Sequence, residues 1–209
     1  MAVDLWLAFV AASTALLLIP GPTVLLVLSY ALSKGRSVAV ASAAGVALGD
    51  IIAMSASLAG LGALVLASAT LFTVLKWIGA VYLVWLGFRL IRSAPDAGLT
   101  TPGQSDIQAR QVFGHATTVT ALNPKSIAFF IAFVPQFVDT SAPLLPQFII
   151  LTATFVTLAA LNALAYALLA DRMRETIRRP VILTWVTRAG GAALITMGVL
   201  TAALRRAAP

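Results

Sequence analysis

Two residues in this sequence carry charge where an apolar chain can least support it. Asp50, in GVALGDIIAM, stands near the middle of an apolar run from Val38 to Leu66. Lys125, in TALNPKSIAFF, stands near the middle of another from Phe113 to Val138. An ionised side chain at the centre of a bilayer costs about 2.5–3.5 kcal/mol on insertion scales, and such residues usually pair with one another, face water or mark a substrate or proton path. Asp50 and Lys125 could form a fixed structural pair that holds their two spans together. A site that alternates between paired and unpaired states would instead bind and release a proton, which makes Asp50 the candidate for proton coupling.

The apolar runs are also broken where they should be continuous. LLLIPGPTVLL places Pro20, Gly21 and Pro22 inside the first, and Asn123 and Pro124 precede Lys125 in the fourth. Proline lacks an N–H and its ring displaces the carbonyl four residues earlier, so each break frees carbonyls before it. It also begins a new half-helix, near Thr23 in one case and Ser126 in the other. Irregular backbone at membrane depth is tolerated only inside protein or beside a water-filled cavity. A half-helix N-terminus carries partial positive charge suited to a carboxylate. The candidate substrate-binding residues are therefore Pro20, Gly21, Pro22, Thr23, Asp50, Asn123, Pro124, Lys125 and Ser126. Asn162 and Tyr166, one turn apart in LNALAY, join them as residues that either line the cavity or make an interhelical hydrogen bond. The competing reading of each break is a packing kink relieved by neighbouring helices.

The elements that must position these residues are membrane helices. Of 209 residues, 60% are hydrophobic and 10% charged, against about 25% charge in soluble domains. Six apolar segments run from about Leu5–Ser33, Val38–Leu66, Leu71–Ile91, Phe113–Val138, Leu144–Ala170 and Val181–Leu204. Each meets the roughly 20 residues that a span requires, which predicts an all-α integral membrane protein, residues 1–209 forming one polytopic domain. The N-terminus MAVDLWLAFV lacks the basic region of a cleavable signal and reads as the start of an uncleaved first span. The polar stretch 92–112, rich in Pro, Gly, Ser and Asp, reads as a loop between two halves of three spans. Broken spans 1 and 4, and glycines at Gly79 and Gly87 matched by Gly190 and Gly198, suggest that the halves are a 3+3 inverted repeat, an arrangement common in secondary transporters.

Sidedness follows from the basic residues. Lys34, Arg36, Arg89, Arg92, Arg110, Arg172, Arg174, Arg178 and Arg179 fall in alternate connections, while Arg205 and Arg206 fall on the other side. The positive-inside rule then puts the 92–112 loop in the cytoplasm and both termini outside. This placement also accounts for the net charge of +7 without nucleic acid. Lys76 and Arg188 lie near span ends and can snorkel, and Trp6, Trp77 and Trp185 suit an interfacial belt. Gly45 and Gly49, preceded by Ser42, form a GxxxG that lets another helix pack closely; it permits a homodimer without requiring one.

Several chemistries find no residues here. Cysteine is absent and His115 is the sole histidine, so no metal site or cofactor is expected. No P-loop occurs, so active transport would draw on an ion gradient or another subunit. No Ser/His/Asp set or carboxylate pair stands at membrane depth, which argues against an enzyme.

PGPTVLLVLSYALSKGR, GVALGD, WIGAVYLVWLGFRLIRS and TALNPKSIAFFIAFVPQF together resemble the LysE/RhtB family of amino-acid exporters, over about Leu5 to Arg206; the last two spans match mainly in hydropathy. The resemblance implies a bacterial inner-membrane exporter of amino acids or close derivatives, driven by proton antiport. By matching motif, Pro20, Gly21 and Pro22 correspond to the family's first-span signature, Asp50 to its acidic second-span position, and Asn123, Pro124 and Lys125 to its fourth-span signature. A lone intramembrane carboxylate favours neutral over basic substrates, since a cationic side chain would want a second anionic partner. Two other readings stay open: an exporter of metal or other small ions, and a non-transport role such as a membrane assembly factor.

Overall fold

The computed structural model of the chain describes residues 1–19, 21–34, 36–67, 69–92, 108–139, 141–177 and 180–203. Pro20, residues 93–107 of the connecting loop, and Arg178, Arg179, Arg205 and Arg206 lie outside the described residues. Among those described, the regular structure is helical throughout: α1 (Val3–Leu18), α2 (Pro22–Lys34), α3 (Arg36–Ala67), α4 (Ala69–Arg92), α5 (Ala109–Ala121), α6 (Pro124–Ala132), a 3-10 turn at Val134–Phe137, α7 (Leu144–Ile177) and α8 (Pro180–Ala203).

Helix thus runs through all six apolar segments read from the sequence. Val38–Ala63 of α3 and Leu144–Leu169 of α7 are each long and apolar enough to cross a membrane alone. Two bent pairs also qualify: α1 with Pro22–Ala31 of α2, bent by 58°, and α5 with Pro124–Phe137, bent by 44°. Both bends sit at the prolines, as the missing N–H and the ring clash require. Large apolar side chains such as Val81, Leu145, Ile149, Leu161 and Trp185 are exposed, the outward apolar surface expected of a chain solvated by lipid rather than water.

Packing relies on small residues. α3 lies along α5 and α7, and α4 along α8 and α6. A Cβ on Gly49 would stand 2.7 Å from the Thr117 carbonyl oxygen, and one on Gly45 would stand 2.5 Å from that of Phe113. The GxxxG does admit a close helix, but that helix is α5 of the same chain, so this face is not open to a second copy. Of the glycines that suggested a repeat, Gly87 abuts the Gly191 carbonyl and Gly198 that of Ala80, so α4 and α8 cross closely, while Gly79 abuts Ala132 of α6 and Gly190 abuts Ile19.

Candidate functional site: a cavity between two broken helices

The end of α1 presents a problem that the rest of the fold solves. Its last carbonyls lack the donors that a continuing helix would supply four residues on, because the chain turns at Gly21 and Pro22; only Leu16 keeps a local one, the Ile19 N–H at 3.2 Å. Side chains from two other helices supply the donors. Lys125 Nζ, from α6, donates to the carbonyls of Leu16 (3.1 Å) and Ile19 (3.0 Å). From α7, Asn162 Nδ2 donates to the Leu17 carbonyl (3.0 Å), and the Tyr166 hydroxyl donates to that of Leu18 (3.2 Å). A cation at a helix C-terminus also complements the helix dipole. Gly21 makes the lysine's approach feasible, since a Cβ there would lie 3.2 Å from Nζ.

The second break is built as a helix cap. Asn123 precedes Pro124, the first residue of α6, and its side chain accepts a hydrogen bond from the Lys125 backbone N–H at 3.0 Å. Proline at this position loses nothing, because its N–H would have been unsatisfied anyway. The Asn123 amide then donates to Thr23 Oγ1 in the first turn of α2 (3.1 Å), and Thr120 Oγ1 donates to the same oxygen at 3.4 Å. The two breaks are therefore joined twice: Lys125 reaches the C-terminal end of α1, and Asn123 reaches the N-terminal turn of α2.

Between them lies a cavity of about 30 Å³, lined on its polar side by Gly21, Thr23, Asp50, Thr120, Asn123, Lys125, Ser126 and Asn162. That volume holds one or two water molecules and no amino acid. Both half-helix N-termini open onto the cavity, through Thr23 and Val24 on α2 and Asn123 and Ser126 on α6. Asp50 faces it from α3 and is 3% exposed. The Asp50 carboxylate accepts no hydrogen bond from any described residue and makes no direct ion pair with Lys125. Positive potential from two helix ends and a lysine thus meets one carboxylate in the same cavity.

Seven of the residues singled out from the sequence line this cavity: Gly21, Thr23, Asp50, Asn123, Lys125, Ser126 and Asn162. Pro22 and Pro124 instead set the helix starts, Tyr166 caps α1 from outside the cavity, and Pro20 lies outside the described residues. Lys125 and Asp50 line one cavity and their charges interact there, but the hydrogen bonds of the ammonium go to the Leu16 and Ile19 carbonyls. Thr120 was missed; its position three residues before Asn123, on the turn that ends α5, was the available signal. Among the described residues no group of three His, Asp or Glu could hold a metal ion.

Comparison with known proteins places these features in a lineage. The homoserine/homoserine lactone efflux protein of Salmonella typhimurium is 35% identical over 207 residues, covering 99% of this chain and 100% of its own. A Vibrio cholerae chain named only as an uncharacterized membrane protein is 35% identical over 202 residues, 97% of this chain and 98% of its own. The leucine efflux protein of Klebsiella pneumoniae is 33% identical over 141 residues, 66% of this chain and 65% of its own. No solved structure matches the chain. The LysE type translocator family matches residues 14–204, a stretch that contains both breaks, the cavity between them and every polar residue lining it. The chain belongs to that family, whose members are membrane translocators and not enzymes.

Proposed function

We propose that this protein is a secondary exporter of small neutral amino acids or their close derivatives in a bacterial inner membrane, exchanging one substrate outward for protons inward. The observation that carries the reading is the cavity itself, where two half-helix N-termini, Lys125 and Asp50 meet. A zwitterion fits that polarity at both ends. Its carboxylate would meet the N-terminal turns at Thr23 and Ser126 together with the third ammonium donor of Lys125, the other two being taken by Leu16 and Ile19. Its ammonium would meet Asp50. Two relatives whose names specify homoserine and leucine efflux support a neutral side chain, as does the presence of one carboxylate for one ammonium.

Asp50 then serves two cations in turn, the substrate ammonium in one state and a proton in the other. Exchange of a zwitterion for one proton moves one charge, worth about 2.3 kcal/mol per 100 mV, or about a 40-fold gradient. The architecture suited to this is six spans as a 3+3 inverted repeat. Support comes from the bends in α1–α2 and α5–α6 and from the glycine-to-glycine crossing of α4 with α8. In proteoliposomes under an imposed proton gradient, Asp50→Asn is expected to lower gradient-driven amino-acid movement at least tenfold. Full gradient-driven transport by that variant would remove Asp50 from the coupling.

A further inference from the structure

α1 buries Phe9, Ser13 and Leu16, a spacing that puts all three on one helical face. Leu16 lines the cavity. Phe9 packs its ring against Phe129 (centroids 6.5 Å apart) and Phe137 (5.4 Å). Ser13 stands between them, completely buried, and its hydroxyl has no hydrogen-bond partner. Other helical hydroxyls, those of Thr14, Ser29, Ser57, Thr117, Thr118 and Thr196, bond the carbonyl four residues back; Ser13 does not. A buried hydroxyl left unpaired costs free energy that water would restore, so its presence points to a second state in which water reaches it.

Phe9 belongs to a cluster of buried phenylalanines with Phe129, Phe130, Phe133, Phe137 and Phe155, successive rings standing 4.8 to 6.5 Å apart. Three helices place this cluster on one side of the cavity. Phe9 precedes Leu16 on α1, Phe129 follows Lys125 along α6 with Phe133 at that helix's C-cap, and Phe155 precedes the cavity residue Ala159 on α7. The basic-residue count assigns that side to the outside. On the opposite side the cavity is lined by aliphatic side chains such as Val27 and Val46. There a second orphan hydroxyl, that of Ser42, lies one helical turn from Val46 and two from Asp50 on α3.

We propose that the phenylalanine cluster is the outer gate of the transport path, and that Ser13 and Ser42 are the polar groups which water and substrate meet on the outer and inner sides when each opens. The exporter reading supplies the identity of the passing solute; the gate itself rests on the packing. The chain contains no cysteine, so Ser13→Cys or Ser42→Cys introduces its sole thiol. A membrane-impermeant cationic methanethiosulfonate reagent, applied to right-side-out and to inside-out membrane vesicles holding the full chain, reads access from each side. Ser13→Cys is expected to react from outside, at least fivefold faster while amino acids are exchanging than at rest. Phe9→Ala in the same chain should raise the resting rate at least tenfold, and Phe9→Leu, which keeps the apolar volume but loses the ring contacts, should raise it by a smaller factor. Ser42→Cys should react from inside. Preferential reaction of Ser13→Cys from inside would overturn the proposal, as would folded Phe9→Ala and Phe9→Leu chains that leave its reactivity unchanged. Should no amino acid exchange in any vesicle, the exporter reading fails while the resting-rate comparison still decides the gate.

Discussion

Lys125 and Asp50 occupy the same cavity yet solve burial differently. Lys125 exchanges water for carbonyls that a broken helix cannot use, so its charge is part of the backbone accounting. Asp50 receives no such compensation from the described residues and is therefore the group whose environment must change as the solute comes and goes. The distinction yields a prediction. In Lys125→Met the Leu16 carbonyl keeps the Ile19 N–H (3.2 Å), but the Ile19 carbonyl loses its donor. A buried unsatisfied carbonyl costs about 1–3 kcal/mol, so thermal unfolding in detergent should shift down measurably while transport is lost. Unchanged stability would mean that the lysine does not close α1. Both charges were legible in the sequence because an ionised residue at mid-span is costly and rare. The partner of Lys125 was not legible, since a freed carbonyl is a property of the backbone path and has no letter in the sequence. Ser13 and Thr120 were hidden for another reason: serine and threonine commonly sit in membrane helices bonded to their own backbone, and only the packed fold shows which ones do not.

Helix breaks rather than helix faces organise the elements. Proline supplies the bends, Asn123 caps the second, and each half-helix start is turned toward the other's break. Apolar runs and their interruptions read directly from the sequence, because length and the missing proline N–H are local. The pairing of α3 with α5 and of α4 with α8 did not, because a helix apolar on all faces announces no partner. The small residues carry that information only once a neighbour is known. Gly49 is the close contact nearest the site: with the Thr117 carbonyl 2.7 Å from its would-be Cβ, Gly49→Leu must force α5 away from α3. That displacement moves Thr120 and Asn123 off Thr23, and overpacking of this kind costs about 1–3 kcal/mol. Reduced thermal stability together with at least a tenfold loss of transport is expected. Normal transport by Gly49→Leu would show that the α3–α5 contact does not set the site.

For the molecule as a whole, a cavity of about 30 Å³ is too small for an amino acid, so substrate passage needs a conformation other than this one. Passage of an amino acid requires this space to widen, and the two proline breaks are the places where α1–α2 and α5–α6 can bend. The central claim is that an amino acid enters the space between those breaks. Counterflow in proteoliposomes tests it most directly: vesicles are loaded with unlabelled amino acids and the entry of each labelled one is followed, beside Lys125→Ala and Asp50→Asn. Selective entry of one or a few neutral amino acids is expected, reduced at least tenfold by either substitution. Folded protein that exchanges no amino acid, or that exchanges them equally well in both variants, would contradict it.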